Sequence, residues 1–253
     1  YQYPRDVQTE VWNLWHDSRD EGRDSVIKMN TGSGKTIVGL LILKSCLNEG
    51  SGPAAYFSPD SYLAQQVRDE AGKLGLDVTS DPDSARFRGG DEILVTNIYT
   101  LVNGQSKFGV GIANIPIGSL VVDDVHACLI DTESQFTLDL GHEVSNRLTA
   151  LFEDALHQQS PGALHEINRD NPNRETMVPY WTWHRRIDEV REIISEYAGE
   201  GITTWKWPLV NDSLEYATCF VSGTSAEISL RSLPIDIIRS LHEASRRIFM
   251  SAT

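Results

Sequence analysis

Cysteine is scarce in this 253-residue chain. There are three, Cys46, Cys128 and Cys219. They lie far apart, their number is odd and no CxxC pair occurs, so neither a disulfide framework nor a metal or iron–sulfur site made of cysteine alone is expected. Separated free thiols fit a reducing, intracellular and most simply cytoplasmic setting. Basic residues are short too: 22 Lys and Arg stand against 36 Asp and Glu, a formal net charge of −14. Bulk electrostatic attachment to a polyanion needs the opposite sign. Any grip on nucleic acid must then come from backbone amides and a few side chains in a local groove. Long apolar runs are missing. The stretch 37–43 is typical of the longest, whereas a bilayer span needs about 20 apolar residues, so no membrane partner is expected. No basic, then apolar, then small-residue pattern opens the chain, which argues against a secretory leader. The chain begins at Tyr1 and stops at Thr253 inside a motif, and is expected to be a piece of a longer protein.

What is present is ordinary globular composition, 40% hydrophobic and 23% charged, enough for a core without staples. Residues 1–24 read as a helix behind a short extended start. A β-type run at 25–29 precedes a glycine turn and an apolar helical stretch. Further runs at 54–58, 91–96 and 119–122 read as strands, with helices expected at 61–74 and 98–102 between them. Strands alternating with helices imply βαβ units and a parallel sheet. Beyond residue 126 the rhythm changes. A helical pattern at 146–158, a polar stretch at 160–174 and a Trp-rich helical stretch at 180–197 precede strand-like pieces at 217–221 and 227–230. Alternation resumes with a helix at 233–244 and a strand at 247–250. The fold expected is therefore α/β, a P-loop domain made of 1–126 and 232–253. An inserted, mainly helical subdomain, 127–231, divides it.

Three motifs carry chemistry. In Thr31-Gly32-Ser33-Gly34-Lys35-Thr36, a glycine turn lets backbone N–H groups approach phosphate oxygens, and the helix after it aims its positive end at them. Lys35 can reach the outer phosphates of a nucleotide, and the Thr36 hydroxyl can ligate Mg²⁺. The strict GxxxxGK[ST] pattern fails at its first glycine, where Met29 stands. In Val121-Val122-Asp123-Asp124-Val125-His126, two acids end an apolar strand; at the carboxyl edge of a parallel sheet they face the phosphate loop. The third, Ser251-Ala252-Thr253, gains its force from order and position.

Taken together these residues resemble the DEAD/DEAH-type helicases of superfamily 2, over about 1–126 and 232–253. Thr31–Thr36 resembles that family's motif I, Asp123-Asp124-Val125-His126 its DExH box and Ser251-Ala252-Thr253 its SAT motif. Pro59-Asp60-Ser61-Tyr62-Leu63-Ala64-Gln65-Gln66 is similar to the PTxxLxxQ motif. Gly89-Gly90 and the stretch from Ile93 to Leu101 resemble nucleic-acid-contacting elements, and Arg5-Asp6-Val7-Gln8 after Tyr3-Pro4 resembles the element that reads adenine. The resemblance implies a RecA-like fold, ATP and Mg²⁺ as ligands, DNA or RNA as partner, and a second RecA-like domain in the full-length protein. It assigns the nucleotide to Gln8, Thr31, Gly32, Ser33, Gly34, Lys35 and Thr36, and the metal to Thr36 and Asp123. Catalysis falls to Lys35, Asp123, Asp124 and His126, with Asp124 orienting or deprotonating the attacking water. Ser251 and Thr253 couple through His126, and Pro59 and Thr96 line the nucleic-acid track. Two departures matter. The family usually has Glu where Asp124 stands, a side chain longer by one C–C bond, about 1.5 Å. The stretch between the acidic box and SAT is usually much shorter, although helicases resembling the iron–sulfur, excision-repair group carry an insertion there. Their cluster cysteines fall between the phosphate loop and the acidic box, where this chain has only Cys46. Trp181, Trp183, Trp205 and Trp207 either stack bases or pack a small core. Two further readings stay open: the motor of a restriction or antiphage complex, and a nucleotide switch that barely hydrolyses ATP.

Overall fold

Each apolar strand of the first half is followed by enough chain to return over the sheet, which is what parallel pairing requires. The computed structural model describes residues 6–197 and 201–252. In chain order the first elements are α1 (Asp6–Ser18), β1 (Asp24–Lys28), α2 (Lys35–Asn48), β2 (Ala54–Ser58), α3 (Ser61–Lys73), β3 (Val78–Thr79), α4 (Ala85–Gly89), β4 (Ile93–Asn97), α5 (Ile98–Leu101), β5 (Ser119–Val122) and α6 (Val125–Gln135). They continue as β6 (Thr137–Gly141), α7 (His142–Leu151), α8 (Glu153–Gln159), α9 (Pro161–Ile167), β7 (Glu175–Met177), α10 (Tyr180–Arg185), α11 (Ile187–Ser195), α12 (Ile202–Val210), β8 (Ala217–Ser222), β9 (Ser225–Leu230), α13 (Arg239–Glu243) and β10 (Arg246–Ser251).

The chain forms two compact units, one of Tyr1–Val102, Ser106–Thr132 and Ile235–Thr253, the other of Asn103–Gln105 and Glu133–Pro234. The first unit is an α/β layer structure on a six-stranded parallel sheet, ordered β1-β10-β5-β2-β4-β3. The central strands β2 and β5 are buried along their whole length, as strands covered on both faces must be. The α2 helix is apolar nearly all round, and packs Val38, Leu40, Ile42 and Leu43 into a core with Tyr56, Val121, Ile248 and Met250. Register fixes the site: Val122 lies opposite both Phe57 and Phe249, and Lys28 opposite Ser251. Residues that follow β1, β2, β5 and β10 therefore emerge side by side at one carboxyl edge.

The second unit has more helical than strand residues among those described, but its spine is a four-stranded antiparallel sheet, β6-β9-β8-β7. Strands β6 and β7 have no counterpart in the sequence reading, because both are short and half polar. The helical pattern at 146–158 is two helices meeting at Phe152, and that at 180–197 is two meeting at Arg186. Helix α9 occupies part of the stretch read as merely polar. In the first unit, the helix expected over 233–244 shrinks to a 3₁₀ turn and the five-residue α13. There the Ser240 amide donates to the Phe108 carbonyl at 2.9 Å, and its hydroxyl donates to the Ile115 carbonyl at 2.6 Å. Those bonds tie the segment to a neighbouring loop in place of its own helical ladder.

Candidate active site

The phosphate-loop sequence folds as a turn between β1 and α2. Gly32 and Gly34 have φ of 76° and 89°, a region that costs a side-chain-bearing residue strain and costs glycine none. The Ser33 amide donates to the Asn30 carbonyl at 3.1 Å, closing the turn. Gly34 caps α2 with no side-chain cap, and no acid occupies the first helical turn. An uncapped helix start free of negative charge is an anion site. At the turn's other end the Met29 amide donates to the Ser251 carbonyl at 3.0 Å, so the SAT strand braces the loop's entry.

The acids stand across from this loop. Asp123 follows β5 directly, and its amide donates to the Phe57 carbonyl at 2.9 Å. One carboxylate oxygen accepts the Tyr56 hydroxyl at 2.7 Å, and the other accepts the Asp124 amide at 2.9 Å. Burial sets the Asp123 pKa above its ordinary value, and the Tyr56 bond, the Asp124 amide and the Lys35 charge offset only part of that rise. Burial, and then the Asp123 charge, push the Tyr56 hydroxyl far above its ordinary range. Burial and the same charge lift the Cys128 thiol to about 12, so that thiol stays protonated and donates to the Asp123 carbonyl at 3.1 Å. Asp124 is exposed and adopts φ 45°, a left-handed conformation that Asp accepts more readily than most residues. His126, in the first turn of α6, places Nδ1 3.0 Å from the Ser251 hydroxyl.

Gly32, Gly34, Lys35 and Thr36 of the loop and the two acids line one cavity of about 610 Å³. Gln8 joins them from α1. It is 4% exposed, donates from its amide nitrogen to the Ser33 carbonyl at 3.2 Å and presses against Gly34. Gln8 thus clamps the phosphate loop itself, and a Cβ at Gly34 would collide with it. Pro59 is buried and lines the same cavity. Thr96 is apart from it, 8% exposed, with its hydroxyl 2.8 Å from that of Thr100. The more open group on that edge is Asn97, which donates to the Ser61 hydroxyl at 2.7 Å. Thr253 and the Tyr3-Pro4-Arg5 part of the Gln8 element lie outside the described residues. Two residues escaped sequence reasoning. Glu70 of α3 supplies part of the opposite wall. Tyr56 donates to Asp123, and the one signal for it is a large hydroxyl-bearing ring in a central, buried strand. The tryptophans divide: Trp183 and Trp207 are 2% and 8% exposed, Trp181 and Trp205 59% and 51%.

Thr36 and Asp123 offer a hydroxyl and a carboxylate, the oxygen donors a hard divalent cation takes. Among the described residues no cluster of three His, Cys, Asp or Glu could hold a metal. Few protein ligands suit Mg²⁺, which keeps water and takes phosphate oxygens for the rest. Among the described residues no helix is long and apolar enough to cross a membrane.

The model of the DEAD/DEAH box helicase family matches residues 5–140. No curated protein matches the chain. Among solved structures, S. tokodaii Xpd4 is similar at 15% identity and a TM-score of 0.57, over 98% of this chain and 57% of that one. An XPD helicase is similar at 13% identity and a TM-score of 0.52, over 100% and 59%. An apo XPD gives 14% and 0.50, over 98% and 53%. This chain thus spans somewhat more than half of each. At such identities the likeness speaks to fold, a RecA-like α/β domain. The matched family segment is more than half of the sequence and carries both the phosphate loop and the acidic box, so the chain belongs to the DEAD/DEAH box helicases, a family of nucleic-acid helicases that bind ATP, generally with Mg²⁺.

Proposed function

We propose that this chain is the ATP-binding half of a nucleic-acid-dependent ATPase that moves along or remodels DNA or RNA. A second RecA-like domain elsewhere in its protein completes it. In this reading 1–126 and 232–253 form the motor domain and 127–231 an inserted subdomain. The observation that carries it is the shared cavity: an uncapped helix start and Lys35 on one side, Asp123 and Asp124 on the other, in about 610 Å³.

Lys35 and the amides from Thr31 to Thr36 bind the phosphate chain. Thr36 and Asp123 hold Mg²⁺, which supplies charge neutralisation at the phosphates when bound. Asp124, exposed at the rim, orients the attacking water and takes its proton. Gln8 fixes the loop on which the adenine end is read. His126 and Ser251, joined at 3.0 Å, carry the state of the nucleotide to the SAT strand. The edge at Pro59 and Thr96 faces nucleic acid, with Asn97 as its open polar group. The shorter acid at Asp124 favours a second reading, a nucleotide switch with slow hydrolysis.

The test is Lys35→Ala. Lys35 starts α2 only half-buried, so its truncation leaves the core intact and the melting temperature unchanged. Loss of charge-assisted hydrogen bonds of about 1.5–3 kcal/mol lowers ATP affinity roughly 10- to 100-fold. An ATP titration by calorimetry with equal affinities for variant and parent refutes the reading.

A further inference from the structure

Tyr56 lies in the middle of β2 with its side chain fully buried, yet its hydroxyl has polar work. It donates to Asp123 at 2.7 Å, and the Thr36 hydroxyl lies near it. The direction follows from the donor inventory. A carboxylate only accepts, so the tyrosine proton goes to Asp123. The other Asp123 oxygen is held by the Asp124 amide. The carboxylate assigned to the metal is thus oriented from behind by one buried hydroxyl, and Asp123 and Thr36 both line the cavity.

Packing does not ask for that hydroxyl. A phenylalanine fills the same ring-shaped space. The sequence nonetheless makes room for this ring: a Cβ at Gly39, one turn into α2, would fall 2.9 Å from the Tyr56 Cε2 atom and 2.8 Å from the Met250 Cε atom. A glycine inside a helix lowers helix propensity, and here it lets the ring pass beneath α2 to reach Asp123. The strand positions flanking Tyr56 on the same face, Ala54 and Ser58, are small.

Resting on the ATP·Mg²⁺ reading above, we propose that Tyr56 is a positioning residue whose hydroxyl sets Asp123 for the cation that accompanies the nucleotide. Without it the Asp123 carboxylate keeps only the Asp124 amide and is freer to turn. Groups that orient metal ligands from behind typically change metal affinity about 10- to 100-fold when removed.

The experiment is Tyr56→Phe in this chain, with ATP binding measured at graded Mg²⁺ and in EDTA. The expected result is an unchanged affinity in EDTA and a Mg²⁺ midpoint raised roughly tenfold, alongside a normal near-ultraviolet dichroism spectrum. A parent that binds ATP with Mg²⁺ dependence, paired with a Tyr56→Phe midpoint equal to it, overturns the role of Tyr56 and leaves the nucleotide site standing. A parent that binds no ATP at any Mg²⁺ level overturns both. If Tyr56→Phe does not fold, 3-fluorotyrosine placed at position 56 decides by ¹⁹F resonance. The signal moves when Mg²⁺ is added to the ATP-loaded chain, and a resonance that stays put refutes the inference.

Discussion

Asp124 should show opposite responses in stability and in turnover. Its φ of 45° lies in the left-handed region, which costs an ordinary residue about 1–2 kcal/mol and Asp or Asn less, because a short polar side chain can bond its own backbone. The side chain is exposed, so packing contributes little to any substitution. Asp124→Asn keeps the local chemistry and should leave stability within about 0.5 kcal/mol. Asp124→Gly relieves strain against a larger unfolded-state entropy, for a net gain of a few tenths to about 1 kcal/mol. Asp124→Glu puts a residue less at home in the left-handed region at the same φ and should cost up to about 1 kcal/mol, or roughly 2–4 °C of melting temperature in a domain of this size. Turnover runs the other way. Asn and Gly cannot take a proton and should abolish ATP hydrolysis in the full-length protein while sparing ATP binding. Glu extends the carboxylate by about 1.5 Å, and placement errors of ~1 Å cost about 100-fold in rate, so Glu should preserve or raise the rate. Thermal melts of this chain, paired with steady-state ATPase of the full-length protein, give both readouts. An Asn variant as active as the parent removes Asp124 from the chemistry. A Glu variant as stable as the parent removes the backbone argument.

The Arg247 guanidinium, 8% exposed, donates two hydrogen bonds to Asp24 at 2.5 and 2.6 Å and holds its carboxyl below the usual value of 3.8. A depressed folded-state pKa adds stability above the unfolded value and loses it as pH falls through the folded one. Because Asp24 is half exposed the carboxylate's own share is small, but Asp24→Asn also leaves a buried guanidinium short of a charged acceptor, at about 1–2 kcal/mol near neutral pH. In denaturant titrations that deficit should shrink as pH drops below 3.8; a deficit constant from neutral to acid contradicts the pairing. In the second unit, Trp183 stacks on Phe152 at 5.9 Å and donates to the Leu214 carbonyl at 2.8 Å, so Trp183→Ala should cost about 3–5 kcal/mol. Trp181→Ala should stay within about 0.5 kcal/mol, and equal losses at both positions would refute the division into core and surface rings.

The parallel sheet was legible because its strands are short, apolar and bounded by turns, and because α2 follows a glycine loop of the phosphate-binding pattern. The run at 54–58 coincides with β2 and that at 119–122 with β5, both central and buried on two faces. Legibility fell where a strand lies at an edge or where tertiary bonds replace local ones. Strand β3 has two residues, too few for any period to register. Strand β6 alternates buried and exposed residues over Thr137–Gly141, yet follows a helix without a turn signal, and its partner β9 lies far along the chain. The segment 233–244 has helical composition, but its amide and hydroxyl at Ser240 find acceptors in the 106–117 loop.

The same distinction runs through the site. Groups that meet a ligand announce themselves by type and spacing, since phosphate and metal chemistry admits few residues. Groups that hold those residues in place are chosen by the fold, and their spacing is whatever the strand order makes it. Tyr56 and Asp123 are 67 positions apart and adjacent in space only because β2 pairs with β5. Ser251 and His126 are 125 apart. Ser251 holds two places at once: its hydroxyl meets His126, while its carbonyl accepts the Met29 amide at the entrance to the phosphate loop. A shift of β10 along its neighbours, by even a fraction of a residue, changes both bonds together. That linkage needs no separate relay between the acidic box and the phosphate loop, because the strand between their two strands is itself the connection.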